Sequence, residues 1–340
     1  MPQPCLPPAA RSRFKPSVRT KCPGQYRIRR KKHYPAQCLI RCGTVFLQRI
    51  QPLIYQSIPI RTPRHIRQHP TIPRRLQQTG IIRSQRPSSR CRNHEPIFRH
   101  RPARKKGLVE KGWQQALPDH AAPYTSTMVF LVRKNNPKQI RDWNDLAKDG
   151  VNIVIAKTSG NGRYAFLGAY GYGLKANNGN EQEAQKLVAS ILKNTPVFEN
   201  GGRAAATTFT QRNIGDVLIT FENEANYVSK KLTQGQFEIV YPSYTISAES
   251  PVAVVNSVVA KKGTQKTARA YLEYLWSEPA QELAASLYLR PRNPEVLARH
   301  KADFPDLDTF PPEEKFGGWD NIMKTYFADG GVFDRLTAQK

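Results

Sequence analysis

From Gly107 onward, short apolar runs alternate with amphipathic stretches of helical length. Ser126-Thr127-Met128-Val129-Phe130-Leu131-Val132 is long enough for a strand and apolar enough to be buried on both faces. Pro137 to Lys148 predicts a short helix, with proline in its first turn and Asp149-Gly150 ending it. Val151 to Ile155 predicts a second strand. A Thr158-Ser159-Gly160 turn follows and leads into a helix rich in Tyr, Leu and Ala that runs to Lys175. Glu181 to Lys193 is amphipathic, and Arg203 to Arg212 predicts one more helix. Further strands are expected over 216–221, 237–241 and 252–260. Helices then follow over 265–276 and 280–288, with two more near the C-terminus. Strands alternating with helices imply an α/β architecture with a largely parallel sheet. Ligands of such sheets sit outside the carboxyl ends of the strands, at helix N-termini.

The first 106 residues show no sustained period of either kind. They hold 15 of the 27 prolines, and Arg and Pro alternate irregularly, as in Arg61-Thr62-Pro63-Arg64. Such a stretch buries too little apolar surface to offset chain entropy, which predicts a disordered basic segment over 1–106. It also explains the formal charge of +27. Of 53 Lys and Arg, 26 fall there against one acid, Glu95, which leaves 27 bases and 25 acids in residues 107–340. All five cysteines (Cys5, Cys22, Cys38, Cys42 and Cys91) precede residue 107, so the remainder has no disulfide framework. Cys38 and Cys42 near His33 match no metal-ligand spacing. No stretch approaches the roughly 20 continuous apolar residues of a membrane span. The N-terminus shows no basic region followed by an apolar run, so no export signal is visible.

The candidate chemistry lies at three strand-to-helix junctions. Lys157-Thr158-Ser159-Gly160-Asn161-Gly162-Arg163 offers hydroxyls, sterically free backbone amides and the positive end of a helix dipole, the makings of an anion site. Ser159 reads equally well as a plain N-cap of its own helix. At Glu199-Asn200-Gly201-Gly202-Arg203-Ala204, paired glycines precede a helix, as they do in many simple loops. At Phe221-Glu222-Asn223-Glu224 a strand gives way to a helix, and Phe221 alone reads as a core aromatic. No Cys, His and carboxylate cluster implies a metal, and no nucleophile elbow or phosphate loop is present. These polar groups suit binding rather than catalysis, with no cofactor.

Several strings resemble the periplasmic sulfate-binding protein family: Pro123-Tyr124-Thr125-Ser126-Thr127, Asp142-Trp143-Asn144-Asp145-Leu146, Ile214 to Ile219 with Glu222-Asn223-Glu224-Ala225, Phe316-Gly317-Gly318-Trp319 and Phe327-Ala328-Asp329-Gly330-Gly331. The likeness spans 107–340 and is specific to the sulfate and thiosulfate binders. It implies a type II solute-binding protein whose two α/β lobes close on a dehydrated anion. Carried over by position, Ser159 would donate its hydroxyl, Gly160, Asn161 and Gly202 their backbone N–H groups, and Arg163 would back the site. Where Asn161 stands the family often has glycine. Where Phe221 stands the sulfate-specific members have a tryptophan whose indole N–H reaches the anion, so the choice between sulfate and thiosulfate is left open. Sulfate is a dianion that only accepts hydrogen bonds, so a pocket made only of donors suits it and would leave the proton of hydrogen phosphate unpaired.

The resemblance also implies periplasmic localisation, a monomer, and delivery to the membrane permease subunits of an ABC importer, with no nucleic acid bound. On this reading residues 148–246 form the second lobe, and 107–147 with 247–340 form the hinge and the remnants of an incomplete first lobe. The family's opening strands and its His-Gly-Gly-Ser-like loop are missing from residues 1–106. Read one nucleotide later, and within codon degeneracy, the codons of Ile72 to Gly80 can spell Ser-His-Gly-Gly-Ser-Ser-Lys-Gln, which resembles that loop. This suggests a frameshift near Lys105-Lys106, with residues 1–106 an out-of-frame translation. The alternatives are a non-functional frameshifted product or a nucleic-acid-binding protein with a basic arm, the latter marked by salt-dependent retention on DNA.

Overall fold

The computed structural model describes residues 49–50, 52–54, 109–157 and 160–338. Most of the segment expected to be disordered, and Ser159 with it, lies outside these residues. The exception is the helical stretch within 49–54, whose Ile50 and Ile54 are buried beside Tyr124, Leu272 and Leu275. A spacing of four residues puts both isoleucines on one helix face, a local pattern hidden in an otherwise aperiodic segment.

Eight strands form one sheet: β1 (Tyr124–Arg133), β2 (Ile153–Ala156), β3 (Val197–Glu199), β4 (Val217–Phe221), β5 (Phe237–Val240), β6 (Tyr244–Glu249), β7 (Arg290–Pro291) and β8 (Asp308–Phe310). The main path runs β3-β2-β4-β1-β6-β8, with β5 and β7 also paired to β1. Instead of the largely parallel sheet expected, the sheet is mixed. The pairs β2–β3, β2–β4 and β6–β8 are parallel, whereas β1 runs antiparallel to β4, β5, β6 and β7. β1 is ten residues long, so it serves two sets of partners. Tyr124 to Thr127 pair with β6 and β7, and Met128 to Arg133 with β4 and β5.

Helices frame this sheet, among them α1 (Gly160–Ala176), α2 (Glu181–Lys193), α3 (Gly202–Thr210), α4 (Glu222–Asn226), α5 (Asn256–Lys262), α6 (Gln265–Glu273), α7 (Glu278–Ser286), α8 (Pro294–Arg299), α9 (Gly318–Thr325) and α10 (Val332–Thr337). Helix α2 matches its predicted limits because its signals agree. The Asn180 side chain caps the Gln182 and Glu183 amides, acids fill the first turn, Lys193 stands in the last, and Ala184, Val188, Ile191 and Leu192 form the buried stripe. Helix α1 is buried almost all round. Its Tyr164, Phe166 and Tyr170 share one core with Phe130 and Trp143, and with Phe316, Trp319 and Tyr326 from the end of the chain.

Two further expectations are corrected, and several strands were not expected. The helix over 137–148 shrinks to a 3₁₀ turn, Trp143–Ala147. Asn136 closes a loop with Ile140 through hydrogen bonds of 2.7 and 3.0 Å, and the reciprocal Asp142–Asp145 capping box starts the helix only afterwards. The strand over 252–260 is instead α5 from Asn256, because buried Val255 and Val259 lie one helical turn apart and the Gly263 C-cap takes the left-handed conformation. β6, like the short β3, β7 and β8, has no counterpart among the predicted strands, although Tyr244-Thr245-Ile246 carries the β-branched, aromatic composition of one.

Candidate functional site

The sheet topology decides where the three junctions meet. β2 lies between β3 and β4, parallel to both, with Ala156 opposite Glu199 and Val154 opposite Leu218. The three strands therefore point the same way and end side by side, each handing over to a helix at the carboxyl edge. The Lys157 amide donates to the Glu199 carbonyl at 2.7 Å and ties the first two exits together.

Each exit has a local reason for its shape. Gly162 lets α1 start hard against β2, since a Cβ there would fall 2.1 Å from the Lys157 carbonyl oxygen. Gly201 takes φ 100°, ψ 161°, a conformation side-chain-bearing residues rarely adopt, and so turns the chain from β3 into α3. Phe221 ends β4 in extended conformation and α4 begins at the next residue. Helix α1 has 17 residues and α3 has nine, and both direct amino termini toward this edge.

Of the residues expected to form the site, Asn161 and Gly202 meet, and Gly160 precedes Asn161 at the start of α1. The Asn161 amide nitrogen stands 2.3 Å from where a Gly202 Cβ would be, so the first turns of α1 and α3 touch. Asn161 is buried, whereas Gly160 and Gly202 keep some surface, which leaves an accessible edge above a closed floor. Phe221 borders the third exit and packs edge-on to Tyr164 with ring centroids 5.5 Å apart. The Arg163 guanidinium lies over the Phe327 ring at 5.6 Å. Ser159 falls outside the described residues.

Two residues of the floor, Thr220 of the expected strand and Glu224 of the third junction, have no site role in the sequence pattern. The Thr220 hydroxyl donates to a Glu224 carboxylate oxygen at 2.7 Å, and the Asn161 side-chain amide donates to the same oxygen at 3.1 Å. Glu224 keeps some surface as a residue, but its carboxyl group is packed among protein atoms. Burial pushes that group above its ordinary value, against the pull of Thr220, Asn161 and the nearby Arg203 charge. Two residues earlier, fully buried Glu222 takes a bidentate ion pair from Arg290 of β7, at 2.6 and 2.7 Å. Burial raises its carboxyl as well, offset by Arg290 and the Tyr241 hydroxyl. A Thr–x–x–x–Glu spacing at a helix start hints at the first contact. The contacts to Asn161 and Arg290 are long-range and leave no local trace.

This arrangement presents hydrogen-bond donors and helix termini on a sheet edge, which suits an anion that accepts hydrogen bonds. Among the described residues, no group of three or more His, Cys, Asp or Glu could hold a metal ion, and no helix is long and apolar enough to cross a membrane.

Comparison with known proteins places the fold and the lineage. A family model for bacterial extracellular solute-binding proteins matches residues 100–286. A thiosulfate-binding protein of Pseudomonas aeruginosa is 55% identical over 232 residues, 68% of this chain and 70% of the relative. A sulfate-binding protein of Escherichia coli is 49% identical over 234 residues, covering 68% and 71%. Among solved structures, the sulfate-binding protein SubI from Mycobacterium tuberculosis superposes with a TM-score of 0.60 at 29% identity, over 68% of this chain and 78% of that one. A Campylobacter jejuni ferric binding protein shares the fold with a TM-score of 0.50 at 19% identity. The chain belongs to the bacterial extracellular solute-binding proteins, in their sulfate- and thiosulfate-binding family.

Proposed function

We propose that this chain binds sulfate or thiosulfate at the carboxyl edge of β3-β2-β4 and serves as the capture component of an ABC importer. The observation that carries the reading is the convergence of three strand exits, with the amino termini of α1 and α3 in contact through Asn161 and Gly202. In this reading the backbone amides of Gly160, Asn161 and Gly202 and the Ser159 hydroxyl hold the anion. Arg163 backs the site and Phe221 walls it without offering a donor. A wall with no donor favours a ligand that needs one hydrogen bond fewer there, so thiosulfate competes well with sulfate. With the reading frame restored, the protein would work as a periplasmic monomer that closes two lobes on the ligand and docks on the permease subunits. The second lobe is built on residues 148–246, with the chain's closing aromatic segment packed in its core.

Titration calorimetry of the purified chain tests this. One-to-one saturable heat is expected with sulfate or thiosulfate and none with hydrogen phosphate. Absence of heat with both of the first two would overturn the reading. Binding should be weak, because the first-lobe donors of the family have no counterpart in residues 1–106. Resequencing across the codons for His69 to Trp113 should reveal a one-base change near Lys105-Lys106. An intact frame would remove that explanation.

A further inference from the structure

In the proposed site the backbone amide of Asn161 faces the anion, and its side chain has no role there. That side chain is buried, and it lies between two elements that must stay in register for both helix termini to face one ligand. Its amide nitrogen donates to Glu224 at 3.1 Å and lies 3.4 Å from the Thr220 hydroxyl oxygen. A carboxylate oxygen and a hydroxyl oxygen on that side require the nitrogen, not the oxygen, of the amide to face them. The orientation is therefore fixed chemically, and the other amide atom, Oδ1, has no hydrogen-bond partner among the described residues. Glu224 is in turn held by Thr220 at the end of β4.

The same amide closes the space beside α3. A Cβ on Gly202 would lie 2.3 Å from Asn161 Nδ2, 3.2 Å from its Cγ and 3.2 Å from Glu224 Oε2. A flexible side chain could give way at the first of these contacts. Asn161 cannot do so without giving up Glu224, and the carboxylate behind it blocks the retreat.

We propose that Glu224 is a positioning residue of the anion site. It clamps the Asn161 side chain, which spaces the first turns of α1 and α3, and the size of that side chain makes glycine obligatory at position 202. This rests on the anion site proposed above. It adds two claims, a non-contacting residue that shapes the site and a size-matched pair across two helices.

A double-mutant cycle on the full chain tests both, read by sulfate and thiosulfate calorimetry and by melting temperature. Gly202→Ala should weaken binding about tenfold or more, since overpacking a closed contact costs upward of about 1 kcal/mol. In an Asn161→Gly background the same change should cost less than about threefold, because the nearest opposing atoms, Nδ2 and Cγ of Asn161, are gone and only Glu224 Oε2 at 3.2 Å remains. Equal losses in both backgrounds would overturn the size-matched pair. If Gly202→Ala alone fails to fold, Asn161→Gly should restore folding, and failure to restore it counts against the proposal.

Glu224→Ala should weaken binding about tenfold, and Glu224→Gln, which keeps an acceptor oxygen, should recover most of that loss. Equal loss in the two variants would remove the positioning role. If the unmodified chain binds neither anion, the proposed function falls. The cycle in melting temperature then decides the interlock by itself: rescue upholds it and additive losses overturn it.

Discussion

Two carboxylates two residues apart, Glu222 and Glu224, leave the same strand end into different surroundings. Glu222 is fully buried and meets a charge, with Arg290 binding it through two nitrogens and so tying α4 to β7. Among the described residues Glu224 takes hydrogen bonds from two neutral donors, Thr220 and Asn161, on the side where α1 and α3 converge, with the Arg203 charge nearby. Burial raises both carboxyls, so desolvation does not distinguish them. The partner does. An ion pair makes the first a clasp between distant parts of the chain. Two neutral donors make the second a spacer beneath the proposed anion site.

The largest effect should come from breaking the clasp. Arg290→Met leaves Glu222 buried without its charge partner and should cost about 3–5 kcal/mol in urea unfolding. Adding Glu222→Leu should recover most of that loss. A small loss for Arg290→Met alone would mean that Glu222 is solvated or neutral, and the contrast with Glu224 would collapse.

Next comes the pH dependence of Glu224. Its carboxyl is raised above the ordinary 4.5, so the folded chain binds that proton more tightly than the unfolded chain does. The group's contribution to stability is complete below that ordinary value and declines as pH rises through the folded value. Glu224→Gln, which cannot ionise, should flatten this part of the stability curve in denaturation series run between acid and neutral pH. An unchanged slope would place the titration elsewhere.

A smaller change should follow Phe221→Trp. An indole N–H at the end of β4 adds one donor toward the proposed anion position and should shift the preference toward sulfate by about two- to tenfold, read as the ratio of the two dissociation constants. The smallest effect is expected at Lys230–Asp303, an ion pair of 2.5 Å with both side chains more than a third exposed. Lys230→Ala should cost less than about 1 kcal/mol, which sets the scale against the buried clasp.

Much of the fold was legible because local signals agreed. Helix α2 carries its cap, charge order and apolar stripe within fifteen residues of chain, and β1 announces itself by an unbroken apolar run. The misreadings arose where local signals misled. The valines of 252–260 have strand propensity, but their burial at Val255 and Val259 follows a helical turn. The loop before Trp143 is closed by Asn136, whose bond to Ile140 outcompetes a helix. The antiparallel course of β1 depends on partners up to 167 positions away, such as Pro291 opposite Tyr124, which no local window contains. In the site, glycine placement marked two of the three exits and the family likeness supplied their roles. Asn161 and Gly202 could be named, but their contact, and the clamp by Glu224, belong to packing across three elements.

The central claim is that an anion sits where α1 and α3 begin. The most direct test is a nitrogen-labelled sample of the chain titrated with sulfate and with thiosulfate, followed by amide resonances. The account predicts saturable shifts at Gly160, Asn161 and Gly202 with one common dissociation constant, while the amides around Glu222 and Arg290 stay in place. Shifts that saturate elsewhere, or none at those three amides, would contradict it.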